Sequence, residues 1–487
     1  MTSFLSGLSG LSGVSLALLL GACSLAPDYE TPEMPVSGQW PDGAAYDDGA
    51  RGASAAPLAD LNGDWRQVFI DPTLQSLIQI ALENNRDLRV AALTVEAARG
   101  TYRVTGADRL PTVNAGAGFT ETRTPKTASS SGKPVTTDTY SANLGVTSFE
   151  LDLFGRIRSL EDDALESYLG TAEARESTRL SLIAEVATAY LTLLGDQRQL
   201  TLTRETLASR EDSLNLTRTS ATRGVGTDLD VAQARTALET ARVNLRLYTR
   251  QVALDRNALE LLLGQPLPGD LPVEVSGRGD GDFVADVPVG LPSEVLLGRP
   301  DIREAEHSLK AANARIGAAR AAFFPSISLT GNLGTASFAL SDLFTGGAAA
   351  WSFGPSISIP LFDAGRNQAN LDVAKVNQEI AKAQYEKAIQ TAFREVADGL
   401  ASKGTLDDQI AAQRALVEAS EEAYRLSRAR YDSGLDSYLS VLDSQRSLYD
   451  ARRNLVSLGV ERVTNRVTLY KVLGGGVKAP VEVAEAE

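Results

Sequence analysis

The sequence predicts a mainly α-helical protein with a small β part of four strands, built from two copies of one unit. Three observations carry this reading. Two proline-free, glycine-poor runs rich in Ala, Leu, Glu, Arg and Gln are long enough for helices of ~65 residues. Four segments alternate apolar and small or polar residues strictly. The chain also matches itself across its midpoint.

The internal match is read from paired motifs. Asp87-Leu88-Arg89 aligns with Asp301-Ile302-Arg303 and Leu110-Pro111 with Phe324-Pro325, both at an offset of 214. Gly155-Arg156 aligns with Gly365-Arg366, Glu185-Val186-Ala187 with Glu395-Val396-Ala397, and Gly224 with Gly434, all at 210. Each copy therefore has one order: a helix, a strand hairpin, a very long helix, a tight turn and a returning helix. The first copy is placed at 61–285, with its hairpin at 111–151 and helical hairpin at 156–264. The second is placed at 286–475, with a hairpin at 325–361 and a helical hairpin at 366–473, ahead of a tail at 476–487.

In the first strand Val113, Ala115, Ala117 and Phe119 share one face against Thr112, Asn114, Gly116 and Gly118. The pattern returns at Tyr140, Ala142, Leu144 and Val146, then at Ile327, Leu329 and Leu333, and is clearest at Trp351, Phe353, Ile357 and Ile359. The loops between paired strands are expected at Glu121 to Thr139 and roughly Ser337 to Ala349. Strands of ~10 residues, apolar on one side and small or polar on the other, suit an outer-membrane wall around a lumen. Four such strands leave two open edges, which a bilayer does not tolerate. Homo-oligomers of two, three or four chains would close barrels of eight, twelve or sixteen strands, and the pattern alone does not choose among them.

The long helices are predicted between Arg156 and about Arg223 and between Arg366 and about Asp432. At 1.5 Å per residue each extends roughly 100 Å. The first returning helix has a seam at Val231, Ala234, Leu238, Ala241, Leu245, Tyr248, Val252, Leu259 and Leu262, broken only at Asp255. The second has Val441, Ser444, Leu448, Ala451, Leu455 and Leu458. A heptad period predicts packing along a neighbouring helix. The turns read Arg223-Gly224-Val225-Gly226-Thr227-Asp228 and Asp432-Ser433-Gly434-Leu435-Asp436-Ser437. Glycine is expected to end the incoming helix in the left-handed conformation, and Thr227 or Ser437 to cap the outgoing one.

Residues 1–22 read as an export signal, with Leu16, Leu18, Leu19 and Leu20 as its apolar stretch, although no Lys or Arg precedes Cys23. It closes with Leu20-Gly21-Ala22-Cys23, a lipobox whose thiol would carry a covalent lipid. Ser24, in place of Asp, is compatible by resemblance to bacterial lipoproteins with transfer to the outer membrane. Residues 23–60, rich in Pro, Gly, Ala and Asp, read as a lipidated linker with little regular structure. After Cys23 no apolar run approaches the ~20 residues of a membrane-spanning helix.

Several classes lose their usual parts. The formal net charge of -15 disfavours nucleic acid. One histidine, His307, and one cysteine, Cys23, leave no zinc set, disulfide framework or histidine-containing triad. His307, with Glu304 and Glu306 nearby, reads as a surface residue. Gly224-Val225-Gly226 follows a helix and lacks a third glycine, so it does not suit a nucleotide. The sequence thus points away from an enzyme and, beyond the lipid on Cys23, to no cofactor. A conduit, or a rigid rod spanning the periplasm, is left.

The chain resembles the TolC-like outer-membrane efflux family, in its lipoprotein branch of the NodT and OprM kind. The resemblance rests on Phe149-Glu150-Leu151-Asp152-Leu153-Phe154-Gly155-Arg156, Arg299-Pro300-Asp301-Ile302-Arg303, Phe353-Gly354-Pro355, Pro360-Leu361-Phe362-Asp363-Ala364-Gly365-Arg366, and Tyr431 with Gly434-Leu435-Asp436-Ser437-Tyr438-Leu439. It implies a homotrimer with a twelve-stranded transmembrane β-barrel and a helical α-barrel across the periplasm. It also implies an adaptor (membrane fusion) protein and an inner-membrane pump of the RND type as partners, with small molecules as cargo. Ducts for type I protein secretion are the alternative. By the same resemblance Gly224, Val225, Gly226 and Thr227, with Gly434, Leu435 and Ser437, become the adaptor-contacting tips. Asp436, and with less weight Asp228, become residues of a periplasmic gate, where a ring of carboxylates would favour cations and hold the tips by ion pairs. A helix-start carboxylate facing the dipole is the plainer role for Asp436.

Overall fold

A computed structural model of the chain describes residues 24–46, 64–269, 283–286 and 293–475. The signal-like stretch, Cys23, the rest of the linker and the tail 476–487 lie outside the described residues. The elements in order are α1 (Trp65–Val68), α2 (Pro72–Asn84), α3 (Arg86–Ala107), β1 (Val113–Thr124), β2 (Val135–Leu151), α4 (Arg156–Thr222) and α5 (Asp228–Leu263). A 3-10 helix at Ser293–Gly298 leads to α6 (Pro300–Ala321), β3 (Ser326–Ser337), β4 (Ala349–Ser358), α7 (Arg366–Asp432) and α8 (Tyr438–Val472). Both long helices have 67 residues. No described helix is long and apolar enough to cross a membrane.

The described chain forms two compact units. Of the described residues, one draws on 24–33, 94–172 and 304–385, the other on 34–46, 64–93, 173–269, 283–286, 293–303 and 386–475, so each takes residues from both halves of the sequence.

The first unit holds an antiparallel sheet in the order β1-β2-β3-β4. The strands outrun their apolar band: Thr122 pairs with Thr137, Arg123 with Thr136 and Thr124 with Val135, within the segment expected to be loop. These positions lack apolar alternation, and cross-strand pairing with β-favouring threonines extends the ladder without it. A bulge between Val146 and Phe149, where Ser148 takes φ 56°, moves the register of β2 on β3. The linker is more than a spacer. Arg320 donates to the Leu25 carbonyl at 2.9 Å and Asn313 to that of Pro27 at 2.8 Å, laying the segment along α6. His307 also departs from expectation: its side chain is mostly buried and hydrogen-bonds Glu166 at 2.6 Å, a partner far away in sequence.

In the second unit the duplicated halves make duplicated joints. Asn85 Oδ1 accepts from the Leu88 amide at the start of α3, and its Nδ2 donates to the Leu262 carbonyl at 2.9 Å. At the matching place in the second half Arg299 donates to the Val472 carbonyl at 2.8 Å. Arg299 is 7% exposed and also binds Asp301 at 2.6 Å and Glu395 at 2.9 Å. Burial works against its charge, and the two carboxylates together raise its pKa above the usual arginine value. Phe69 meets Tyr470 edge to face at 5.1 Å, and the linker's Trp40 stacks on Phe393 at 4.9 Å.

The heptad seams pack as expected. In α8, Leu448 and Ala451 lie against Val417 of α7, and Leu458 against Leu406 and Ile410. In α5, Ala234, Leu238, Ala241 and Leu259 are buried, and Leu263 replaces Leu262 as the last buried residue.

Candidate functional site

The sheet offers two unlike faces. Val113 lies opposite Val146, Ala115 opposite Leu144 and Phe119 opposite Tyr140. Leu144 in turn faces Leu333, and Leu333 faces Trp351. The period of two thus sums to one apolar surface across all four strands, and Phe119, Leu144, Leu333, Trp351, Phe353 and Ile357 are exposed on it. Such a patch is far beyond what water favours and matches the lipid-facing band of a barrel.

The opposite face is polar and small. Asn114 pairs with Gly145, Gly145 with Asn332 and Asn332 with Ser352; Gly116 pairs with Asn143, and Asn143 with Gly334. Each of these asparagines lies opposite a glycine on at least one neighbouring strand, and the missing side chain makes room for the amide. A Cβ at Gly145 would overlap the Asn332 side chain. The outer edges of β1 and β4 lack partners within the sheet.

The helical turns are closed by their glycines. Gly224 has φ 77° and Gly434 φ 70°, as the sequence predicts. Val225 N donates to the Ser220 carbonyl and Gly224 N to that of Ala221; Leu435 N to Arg430 and Gly434 N to Tyr431 repeat the arrangement. These crossed bonds satisfy carbonyls that the helix end would leave bare. Gly226 serves a different need, since a Cβ there would sit 3.2 Å from the Ala221 nitrogen.

The outgoing caps differ between halves. Thr227 accepts from the Asp230 amide at 3.2 Å while Asp230 accepts from the Thr227 amide at 3.0 Å, a reciprocal capping box. Ser437 makes no side-chain cap bond, contrary to expectation. The counterpart of Asp230 is Ser440, which brings no carboxylate back to close the box.

Asp436 occupies the place of Gly226 in the second half, and its Oδ2 accepts from Arg430 Nε at 2.7 Å. Asp228 opens α5, exposed on the rim of a groove shared with Arg218, Val231, Arg235 and Glu239. Its counterpart Tyr438 is buried, with its ring 5.2 Å from that of Tyr431, among Leu214, Ala234, Leu238 and Val441. The aspartates therefore stand in different settings. Val225, Leu229, Leu435 and Leu439 leave apolar side chains in water around the turns.

Two charged features escape the sequence reading. Arg210 is buried, donates to the Ala237 carbonyl at 2.6 Å and faces the Tyr449 ring; burial lowers its pKa. Asp255, the break in the seam, is also buried and accepts from Gln251 at 3.0 Å. Burial, and then the hydrogen bond and charge of Asp255, push the Asp196 carboxyl from 3.8 up to about 7. Since its folded value is the higher, its contribution to stability is full below the unfolded value and is lost as pH rises through about 7. Asp196→Asn is therefore expected to stabilise the protein by about 1 kcal/mol at pH 8, after discounting for solvent screening, with little effect at pH 5. Thermal unfolding in detergent at both pH values checks this; equal shifts at the two would refute it.

Comparison with known proteins agrees with this geometry. The family model described as outer membrane efflux protein matches residues 77–265 and again 291–475. The chain is similar to the toluene efflux pump outer membrane protein TtgC of Pseudomonas putida, 52% identical over 462 residues covering 94% of each chain. The antibiotic efflux pump outer membrane protein ArpC of Pseudomonas putida is 52% identical over 94% of each chain. Among solved structures, the open state of the MtrE outer membrane channel of Neisseria gonorrhoeae superposes with a TM-score of 0.82 at 40% identity, covering 94% of this chain and 99% of that one. The likeness runs over nearly the whole length of these relatives in sequence and fold, and the chain belongs to the outer membrane efflux protein family, whose members are TolC-like channels of the outer membrane.

Proposed function

We infer that three copies of the chain close a twelve-stranded barrel in the outer membrane, and that their helices continue it as a passive duct for small molecules delivered by an inner-membrane pump of the RND type. The observation that carries this is the four-stranded sheet with one exposed apolar face, one small polar face and two open edges. In a bilayer only closure satisfies those edges. The named cargoes of TtgC and ArpC, toluene and antibiotics, favour small molecules over polypeptides.

The exposed Val225, Leu229, Leu435 and Leu439 suit docking of a periplasmic adaptor at the turns, where Gly224, Gly226, Thr227, Gly434 and Ser437 shape the contact. Repeated around the axis, Asp436 forms a carboxylate ring at the closed end, each held by its Arg430, and Asp228 adds a second, outer set. Cys23 carries the lipid that holds the chain at the membrane. The duct performs no catalysis and uses no cofactor.

Single-channel conductance of the purified, lipidated protein in planar bilayers tests this. The parent is expected to conduct weakly or in flickers, and Asp436→Ala to raise its conductance severalfold by freeing Arg430 from its partner. Equal conductance from parent and variant would remove Asp436 from the gate. No conductance from either, with insertion as an oligomer confirmed, would overturn the duct in favour of a rod.

A further inference from the structure

The two strand hairpins end in loops at one end of the sheet, and the helices that flank them in sequence join it at the other. With the helices on the periplasmic side, both loops face the cell exterior. The first hairpin reaches further out than the second. The β2–β3 ladder stops at Tyr140 and Ser337, whereas β1 and β2 stay paired from there to Thr124 and Val135. On the lipid-facing side the apolar band of this hairpin ends at Phe119 and Tyr140, whose rings lie 4.8 Å apart. Further along β1 the same side carries Glu121 and then Arg123, opposite Asp138 and Thr136. At ~3.4 Å per residue and a tilt of roughly 40°, Arg123 stands about 10 Å beyond the aromatic pair, at the depth of headgroups rather than of acyl chains.

The tip beyond is cationic and preformed. From Thr122 to Thr137 the charged residues are Arg123, Lys126 and Lys133, all exposed, in a chain whose net charge is -15. Continuing the rungs past Thr124 and Val135 sets Pro125 opposite Pro134 and Lys126 opposite Lys133. The prolines have no N–H to give and end the ladder there. The Ala128 and Ser129 amides donate to the Pro125 carbonyl at 3.0 and 3.1 Å, and the Gly132 amide to that of Ser129 at 3.1 Å, which folds the loop on itself. Among the described residues none of the three cations has a carboxylate within ion-pair distance, and Glu121 and Asp138 face each other one step nearer the apolar band. Like charges held opposite one another destabilise a hairpin unless counter-ions reach them. The other outer loop, 338–348, has one charge, Asp342, and three exposed apolar side chains, Phe338, Leu340 and Phe344. Since Ser337 pairs with Tyr140, that loop leaves the sheet at the level of the aromatic pair, where acyl chains end.

We propose that the outer end of the sheet docks the phosphorylated glycolipid of the outer leaflet: Arg123, Lys126 and Lys133 hold its phosphates, and Phe338, Leu340 and Phe344 meet the upper ends of its acyl chains. Two arguments select this occupant. A planar guanidinium beside two ammonium groups suits phosphate, and no carboxylate of the tip competes for them. Arg123 also stands on the side that continues the lipid-facing band, so it meets lipid rather than the lumen. A free polyanion would account for the cations but not for the apolar loop beside them. The proposal goes beyond the duct reading, and it stands or falls whether or not the barrel conducts.

Binding of fluorescently labelled rough lipopolysaccharide, whose phosphates no long polysaccharide shields, to the purified full chain in mild detergent tests this. Arg123→Gln combined with Lys126→Gln and Lys133→Gln is expected to weaken binding roughly a hundredfold, from about fivefold for each cation near an anionic lipid surface. A charge-matched control at exposed helix positions, Arg89→Gln with Lys375→Gln and Lys387→Gln, is expected to stay within about twofold of the parent. Phosphatase-treated lipopolysaccharide is expected to bind the parent as weakly as the intact lipid binds the triple variant. Heat-resistant oligomer on a gel confirms assembly of each variant. Lys126→Gln with Lys133→Gln, confined to the loop, reads the same site should the triple variant fail to assemble. Equal affinity of the parent and the tip variants, or no binding by the parent, overturns the proposal. Displacement of the labelled lipid by inorganic phosphate alone would make the tip a site for free anions and overturn the lipid as its occupant.

Discussion

Arg299→Ala is expected to cost about 2–3 kcal/mol, the upper scale for hydrogen bonds to charged groups, since the arginine is buried while its two carboxylate partners keep contact with water. The guanidinium is 7% exposed and serves three acceptors at once: Asp301, Glu395 and the Val472 carbonyl. Its loss leaves two carboxylates beside each other without their shared cation and takes the donor from the Val472 carbonyl at the end of α8. Lysine does not repair the site, since one ammonium cannot reproduce the planar fork that spans Asp301 through Nε and Nη2 while Nη1 reaches the carbonyl. Denaturant unfolding in detergent, comparing Arg299→Ala, Arg299→Lys and the parent, measures this. A loss below about 1 kcal/mol for alanine would mean that solvent replaces the arginine and the joint is not buried in solution.

Gly334→Ala is expected to cost about 2–3 kcal/mol, the scale of overpacking, and to reduce the assembled fraction sharply. A Cβ at Gly334 would lie 2.2 Å from the Ala142 oxygen and 2.7 Å from the Asn143 Cα, and backbone cannot step aside as a side chain can. Gly331→Ala is the matched control on the same strand, since its Cβ would meet nothing nearer than 3.9 Å. Heat-resistant oligomer on a gel, quantified for both variants, separates them; equal yields would show that β2 and β3 part without penalty.

Much of this architecture is legible in the sequence because it rests on periods. Trp351, Phe353 and Ile357 announce a strand with one apolar face, and Leu448, Ala451 and Leu455 announce a helix seam. Gly224 and Gly434 are readable because a left-handed helix end needs glycine in any context. What was not legible depends on distant partners. Nothing around His307 reveals Glu166, and nothing around Asn85 reveals the Leu262 carbonyl. The added strand length from Thr122 to Thr124 follows from what pairs with it rather than from its own alternation. Ser437 misled because a capping residue acts with its third neighbour, and Ser440 is not Asp230. The gate and tip residues occupy the turns the sequence assigns them, while their roles rest on copies that one chain does not contain.

The interleaving of the two halves bears on how such a chain matures. Ser148 bonds Thr330 across 182 residues of sequence, and Asn85 bonds Leu262 across 177. A chain emerging from its amino terminus can close the β1–β2 hairpin early, but the free edge of β2 waits until β3 has been made. Long-range closure of this kind is slow, and an unpaired strand edge invites aggregation while it lasts. The yield of finished protein is therefore set by whatever shields that edge during the delay, more than by the stability of the completed sheet.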